Sequence, residues 1–290
     1  MISYIKTKSV LSRLRDAPDP YFGITWNMNL YRGCQHGCIY CDSRSNVYKV
    51  GDLSHIRIKE NAIDLLSAGL SRKRIKGTIG TGSMNDPYMP LAVKTGNTRK
   101  ALKVIAQQKF PVHIITKSSS VCNDADIIKD ISTIYAAVSV TITTSDDKLA
   151  KRIEPGATIS SKRFEAINSL SKNGIYCGIV LTPVLPYITD NSDNIAGIIK
   201  RAADNGAQYV LGWMSMTQRE GQREYYYSEL DKKFPGLKLK YIKKYKDAYN
   251  CKPENADELY NIFKETCIKY NMTLKMKHYE NKKSEQLTLF

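Results

Sequence analysis

The chain has 290 residues, of which 42% are hydrophobic and 25% charged, and this composition predicts one large globular domain or a domain with an appendage. The formal net charge of +16 favours a polyanionic partner such as nucleic acid, although a lysine-rich proteome would produce the same excess. No apolar run approaches the roughly 18 residues that a membrane helix needs, and the first residues lack a signal-peptide core. Seven cysteines, an odd number, argue against a secreted disulfide framework, so we expect a cytoplasmic protein with no membrane partner.

Strand-like and helix-like stretches alternate along residues 24–215. The predicted strands are Ile24–Leu30, Thr78–Thr81, Val112–Thr116, Ala136–Thr143, Ile175–Leu181 and Gln208–Trp213. The predicted helices between them are Lys59–Leu70, Asn97–Gln108, Asp124–Ile134, Ser160–Leu170 and Asp193–Ala203. This alternation predicts an α/β fold of right-handed βαβ units around a parallel sheet of six strands.

The pattern changes on either side of this region. Residues 1–23 read as a polar N-terminal arm, and residues 216–280 as a helical C-terminal extension followed by a flexible tail over residues 281–290. In the extension, Tyr241, Tyr245 and Tyr249 recur every four residues among many lysines. Such a stripe stacks bases over a phosphate track in some proteins and faces the core in others, and the sequence leaves both readings open.

Cys34, Cys38 and Cys41 form a C-x3-C-x2-C run directly after the first predicted strand. Thiolates are the ligands that iron–sulfur clusters and zinc prefer, and three of them leave one corner of a four-iron cluster open. A zinc knuckle is the alternative, but it normally needs a second cysteine pair, which the sequence lacks. His36 lies inside the short spacer and fits a loop residue better than a fourth zinc ligand.

This spacing, with Tyr40 just before the third cysteine, resembles the radical S-adenosylmethionine (SAM) superfamily. The resemblance implies that the three cysteines hold a [4Fe–4S] cluster, whose open iron binds SAM. It also implies reductive cleavage of SAM to a 5'-deoxyadenosyl radical, an electron donor such as flavodoxin or ferredoxin, and a partial (βα)6 TIM-type barrel with its site at the carboxyl ends of the strands.

Further motifs follow the other strands: residues 82–88 (GSMNDPY), 116–118 (TKS), Glu154-Pro155 and residues 183–186 (PVLP). In this order they resemble the spore photoproduct lyase-like branch, often labelled DNA repair photolyases. By this resemblance Tyr40, Ser83, Asp86, Lys117 and Ser139 line the SAM pocket. Taken alone, residues 82–88 could be an ordinary Gly/Pro turn and Lys117 a solvated lysine.

One departure separates the chain from true spore photoproduct lyases. Those enzymes use a cysteine, just upstream of the acidic residue matched by Asp86, as hydrogen donor to the substrate radical. Here no cysteine occurs between Cys41 and Cys122. This departure puts thymine-dimer repair by that route in doubt, and the catalytic residues and the exact reaction stay open.

The last residues form an apolar pentapeptide after a charged linker. Residues 286–290 resemble the short motif with which bacterial repair proteins bind the DNA sliding clamp, so we expect Gln286, Leu287, Leu289 and Phe290 to bind that partner. Packing of the tail on its own domain is the alternative.

Together these features predict a radical SAM enzyme, lyase-like or DNA/RNA-modifying, that acts on nucleic acid in DNA repair or processing. The alternatives are a radical SAM enzyme for a protein or small molecule, and a DNA- and clamp-binding protein with a structural cluster.

Overall fold

The computed structural model describes residues 1–281. The strands of this part are β1 (Ile2–Ile5), β2 (Leu11–Arg13), β3 (Ile24–Met28), β4 (Tyr31–Arg32), β5 (Ile56–Lys59), β6 (Thr78–Thr81), β7 (Val112–Thr116), β8 (Ala136–Thr141), β9 (Tyr176–Leu181), β10 (Val210–Gly212), β11 (Met216–Thr217) and β12 (Asn250–Cys251). The α-helices are α1 (Ala62–Ser71), α2 (Pro90–Thr95), α3 (Asn97–Gln107), α4 (Ala125–Ser132), α5 (Asp147–Ile153), α6 (Ser160–Lys172), α7 (Ser192–Asp204), α8 (Gln222–Lys233), α9 (Leu237–Tyr245) and α10 (Ala256–Lys269). None of these helices is long and apolar enough to cross a bilayer.

A seven-stranded sheet in the order β10-β9-β8-β7-β6-β3-β2 forms the centre of the molecule. Six of its strands, β3, β6, β7, β8, β9 and β10, are parallel to one another, and β2 joins the edge antiparallel to β3. These six are the strands that the sequence pattern predicts, so the α/β partial barrel is confirmed. Because parallel strands point the same way, the loops after β3, β6, β7, β8, β9 and β10 meet at one end of the sheet.

The main core lies between this sheet and the helices that cross over it. Strands β7 and β8 read as nearly continuous apolar runs because helices cover their outer face and the barrel interior covers the other. Helix α3 shows how the sequence specifies this layer: Ala101, Leu102 and Ile105 recur at helical spacing and are buried, whereas Lys100 and Lys103 point to solvent.

A smaller sheet, β1-β5-β4, lies beside the cysteine run. Strand β1 pairs parallel with β5, and β4 pairs antiparallel with it. The first residues of the predicted arm are therefore part of a sheet.

The helices after residue 216 cover the cysteine run. Tyr226 and Tyr241 are fully buried, with ring centroids 5.3 Å apart in an edge-to-face pair, and Tyr241 donates a hydrogen bond to the carbonyl of Pro186 at 2.8 Å. The tyrosine stripe thus faces the core at Tyr241 and Tyr245, while Tyr249 is exposed. Of the two readings left open by the sequence, core packing applies to the first two residues.

Candidate active site

A cavity of about 460 Å³ opens at the carboxyl ends of the strands. Cys34, Cys38 and Cys41 line it together with Tyr40, Ser83, Asp86 and Lys117. Seven of the eight residues that the sequence predicts for the cluster and the SAM pocket therefore line this one cavity. The cavity also has an aromatic wall of Phe22, Tyr48 and Trp213, which sequence reasoning missed because these residues come from three separate segments.

The segment after α5 holds the cysteine loop in place. The amide of Ile39 donates to the carbonyl of Ile153 at 3.0 Å, and the amide of Gly156 donates to the carbonyl of His36 at 2.8 Å. A Cβ atom at Gly156 would overlap the carbonyl oxygen of Gln35, so only glycine allows the two segments to approach this closely. We call residues 153–156 the cradle of the cysteine loop.

Glu154, a residue of the cradle, forms a buried ion pair with Arg163. Glu154 and Arg163 are both fully buried, and their side chains pair directly. Arg163 also donates to the carbonyls of Thr158 at 2.6 Å and Thr141 at 2.9 Å, while Glu154 accepts a hydrogen bond from the Tyr40 hydroxyl. The pair therefore ties the residue before the third cysteine to β8 and α6.

The charges in this network perturb one another. Burial alone would raise the pKa of Glu154, but the positive charges of Arg163 and Lys117 hold that pKa below its ordinary value. Burial would likewise lower the pKa of Lys117, but Cys38 and Glu154 keep it raised, so the side chain is a cation beside the cavity. Burial raises the pKa of the Cys34 thiol to about 11.

Asp86 connects three parts of the site. Its carboxylate accepts hydrogen bonds from the Thr116 hydroxyl and the Lys117 amide, both at 2.7 Å, and from the Tyr88 amide at 2.8 Å. The Nδ1 atom of His36 lies 3.4 Å from the same carboxylate. Both carboxylate oxygens are thus engaged in joining β6, β7 and the cysteine loop, which gives Asp86 a positioning role within the cavity wall.

Ser83 and Ser139 differ in their place. Ser83 lines the cavity and donates to Asn27 at 2.8 Å. Ser139 is fully buried, 2.8 Å from both the His113 ring and the Tyr209 hydroxyl, and it is not among the cavity-lining residues. Thr141, two residues further along β8, does line the cavity. In the structure Ser139 therefore lies deeper in the barrel than the cavity wall, where the family resemblance predicts it.

Comparison with known proteins explains the cysteine loop. The sequence model of the radical SAM superfamily matches residues 28–199, more than half of the chain. The chain belongs to the radical SAM superfamily. It is 35% identical over 171 residues to an uncharacterized protein of Methanocaldococcus jannaschii, an alignment that covers 58% of this chain and 63% of that relative. It is 25% identical over 178 residues to the radical SAM Nalpha-GlyT isomerase of Pseudomonas phage M6, covering 61% of this chain and 36% of that protein.

Solved structures share the fold. The structure of spore photoproduct lyase complexed with dinucleoside spore photoproduct superposes with a TM-score of 0.69 at 14% sequence identity, covering 93% of this chain and 79% of that one. At this identity the similarity establishes the architecture, including the C-terminal helical region, and leaves the substrate open.

The residues present fit the cofactors of the radical SAM family, a [4Fe–4S] cluster and SAM. The three thiols line one cavity, and no group of three potential ligands within residues 1–281 converges closely enough to hold a single metal ion. Three thiols on one short loop are the donor set for a four-iron cluster that keeps one corner open. Cys34, Cys38 and Cys41 would hold the cluster, and Lys117 would supply a cation of the same cavity wall for an anionic part of SAM.

Proposed function

We propose that this radical SAM protein acts on nucleic acid, in the repair or processing of DNA. The observation that carries the proposal is the aromatic wall of the cavity that also contains the three cysteines. The phenyl ring of Phe22 and the indole of Trp213 lie 6.1 Å apart, and Tyr48 lines the same cavity. Flat apolar surfaces of this kind bind bases by stacking, regardless of sequence.

Positive charge lies next to this wall: Arg219 contacts two cavity-lining residues, the ring of Tyr48 and the carboxylate of Asp42 at 3.6 Å, although neither Arg219 nor Arg44 lines the cavity itself. The guanidinium of Arg219 lies 5.5 Å from the ring of Tyr48 and 5.0 Å from the ring of Tyr249, and it donates to the Tyr249 hydroxyl at 2.9 Å. Arg44 stacks on Tyr225 at 3.6 Å. Arginines held against aromatic rings bind phosphates while the rings contact bases, and the net charge of +16 supports a polyanionic substrate.

When bound, the cluster and SAM supply the radical that such an enzyme uses; the chain supplies the site around it. Asp86 and the cradle fix the cysteine loop, Lys117 contributes a cation, and the aromatic wall orients the substrate and excludes water. Cys122, Cys177, Cys251 and Cys267 do not line the cavity. The described part of the chain thus offers no fourth cavity cysteine as a hydrogen donor, which favours a reaction different from the cysteine-dependent one.

The test is SAM cleavage by the anaerobically reconstituted protein with single-stranded DNA, duplex DNA or RNA present. We expect binding that weakens steeply with salt, because neutralising phosphates releases counterions. Replacing Arg219 by Gln should weaken binding more than replacing Lys240 by Gln, because each change removes one positive charge but only Arg219 lies against the ring of a cavity-lining residue, Tyr48. No binding to any nucleic acid at low salt would contradict the proposal and favour a protein or small-molecule substrate.

We also propose that Gln286, Leu287, Leu289 and Phe290 recruit the enzyme to the DNA sliding clamp. These residues lie outside the part of the chain that the structure describes, and the support is the motif itself. Recruitment would raise the local concentration of the enzyme on DNA without contributing to its chemistry.

A further inference from the structure

The small sheet beside the cysteine loop has an unusual outer face. Arg32 on β4 and Arg57 on β5 are directly opposite each other in the antiparallel register, and Lys59 lies two residues further along the same face. Like charges directly opposite across strands are destabilising. The ordinary remedy, a carboxylate between them, is missing: within residues 1–281 none of the three cations has an acidic partner at ion-pair distance.

The three cations are instead held by backbone carbonyls. Arg32 donates to the carbonyl of Lys49, Arg57 to that of Val50, and Lys59 to that of Asn29 at 2.8 Å. Carbonyl groups fix the side chains without neutralising their charge. The result is a preorganised positive surface, which we call the basic face: Arg32, Arg57 and Lys59.

The basic face lies immediately beside the cysteine loop and outside the cavity. Arg32 is two residues before Cys34, so their Cα atoms are at most about 8 Å apart. The amide of Cys34 donates to the carbonyl of Leu53 at 2.8 Å, and a Cβ atom at Gly33 would lie 2.6 Å from the carbonyl oxygen of His55, so the segment leading into β5 packs directly on the loop. None of the three cations lines the cavity.

We propose that the basic face is the docking site for an acidic one-electron carrier protein that reduces the cluster. The inference rests on the proposed function, because each reductive cleavage of SAM at the cavity requires one electron that the chain's own residues do not supply. One electron would leave the flavin or iron–sulfur centre of the carrier and enter the cluster, with no bond made or broken and no proton moved. A site beside Cys34 but outside the cavity lets the carrier approach while substrate occupies the aromatic wall.

Charge complementarity argues for this partner over nucleic acid. Electron-transfer interfaces are small and are directed by electrostatic attraction more than by apolar burial. The basic face fits such an interface, because its half-buried charges are fixed on a short sheet and none of the three cations lies over an aromatic ring of residues 1–281. Arg219, in contrast, lies against the rings of Tyr48 and Tyr249.

The experiment measures how fast the reconstituted cluster is reduced, in a stopped-flow spectrometer, by a reduced acidic flavodoxin and separately by dithionite. In the double variant Arg32→Gln/Arg57→Gln, we expect reduction by flavodoxin to slow roughly tenfold at low salt and to lose most of its salt dependence. Reduction by dithionite and SAM cleavage driven by dithionite should remain unchanged. The variant Arg32→Lys/Arg57→Lys, which keeps both charges, should restore the rate.

The matched control is Lys100→Gln/Lys103→Gln, which removes two exposed charges from α3 and should leave the rate unchanged. Equal slowing in this control, or an unchanged rate in the arginine variant, would overturn the proposal. So would an arginine variant that loses DNA affinity but is reduced normally, since the face would then bind phosphate. Iron loss in both arginine variants would assign the face to holding the loop. Wild-type protein that cleaves no SAM with dithionite would contradict the proposed function itself.

Discussion

The buried pair of Glu154 and Arg163 makes the sharpest prediction about stability. Replacing Glu154 by Gln keeps an acceptor for the Tyr40 hydroxyl but leaves the Arg163 guanidinium, fully buried, without its counter-charge. Removing one partner of a buried ion pair costs about 3–5 kcal/mol. Against a total stability of about 5–15 kcal/mol, the variant should fold but unfold at a temperature lower by roughly 6 to 20 °C.

The assay is urea and thermal unfolding of the metal-free protein with its thiols reduced. Glu165→Gln is the matched control, because its pair with Lys162 lies on the same helix as Arg163 with both side chains more than half exposed. The control substitution should lower the free energy of unfolding by less than about 1 kcal/mol. The double variant Glu154→Gln/Arg163→Met keeps the acceptor for the Tyr40 hydroxyl and should be less destabilised than Glu154→Gln, since the Arg163 guanidinium no longer stays buried without its counter-charge. If Glu154→Gln unfolds with the same midpoint as Glu165→Gln, the reasoning is refuted.

Three further predictions concern the cofactor, pH and the tail. Cys38→Ala should lower the iron content of reconstituted protein from about four per chain to near zero and abolish SAM cleavage; tight zinc binding by the wild type without reconstitutable iron would contradict the cluster assignment. Burial lowers the pKa of His113 to about 3, so below pH 6.5 the unfolded chain takes up a proton that the folded protein does not. In urea titrations between pH 6.5 and 5, the free energy of unfolding of the wild type should therefore fall by about 2 kcal/mol more than that of His113→Gln. Equal losses would show that His113 is not held neutral. Deleting Gln286–Phe290 should abolish clamp binding in calorimetry while iron content and melting temperature stay unchanged, and a truncated protein that loses its cluster would identify the tail as a packing element.

The sequence pattern identifies the larger elements well because their signals are local. The apolar strand Val112–Thr116 and the helical spacing over Asn97–Gln108 reappear in the structure with the same or nearly the same bounds. The strands of the small sheet do not follow from the sequence pattern, since two to four residues carry too little periodicity and the pairing of β1 with β5 joins residues more than fifty positions apart, such as Ile2 and Ile56.

At the site, the sequence pattern does not predict how deep a side chain lies in the barrel. Alternation along β8 places Ser139 and Thr141 on the same face, but it carries no information on depth, and two residues of strand correspond to about 7 Å. Deep in the barrel, His113 and Tyr209 already surround Ser139. Glu154 stood out in the sequence as part of a motif, yet its partner Arg163 could be found only by asking which cation neutralises a buried carboxylate.

The cradle at residues 153–156 changes how sequence variation in this protein should be read. Gly156 is more than a hundred positions from the cysteines and carries no side chain that could bind metal, yet its contact with Gln35 leaves no space for a methyl group. A natural variant with alanine at this position would be scored as remote and conservative. It would nevertheless displace the loop that carries all three thiols, so its phenotype should be that of a cofactor-loading defect.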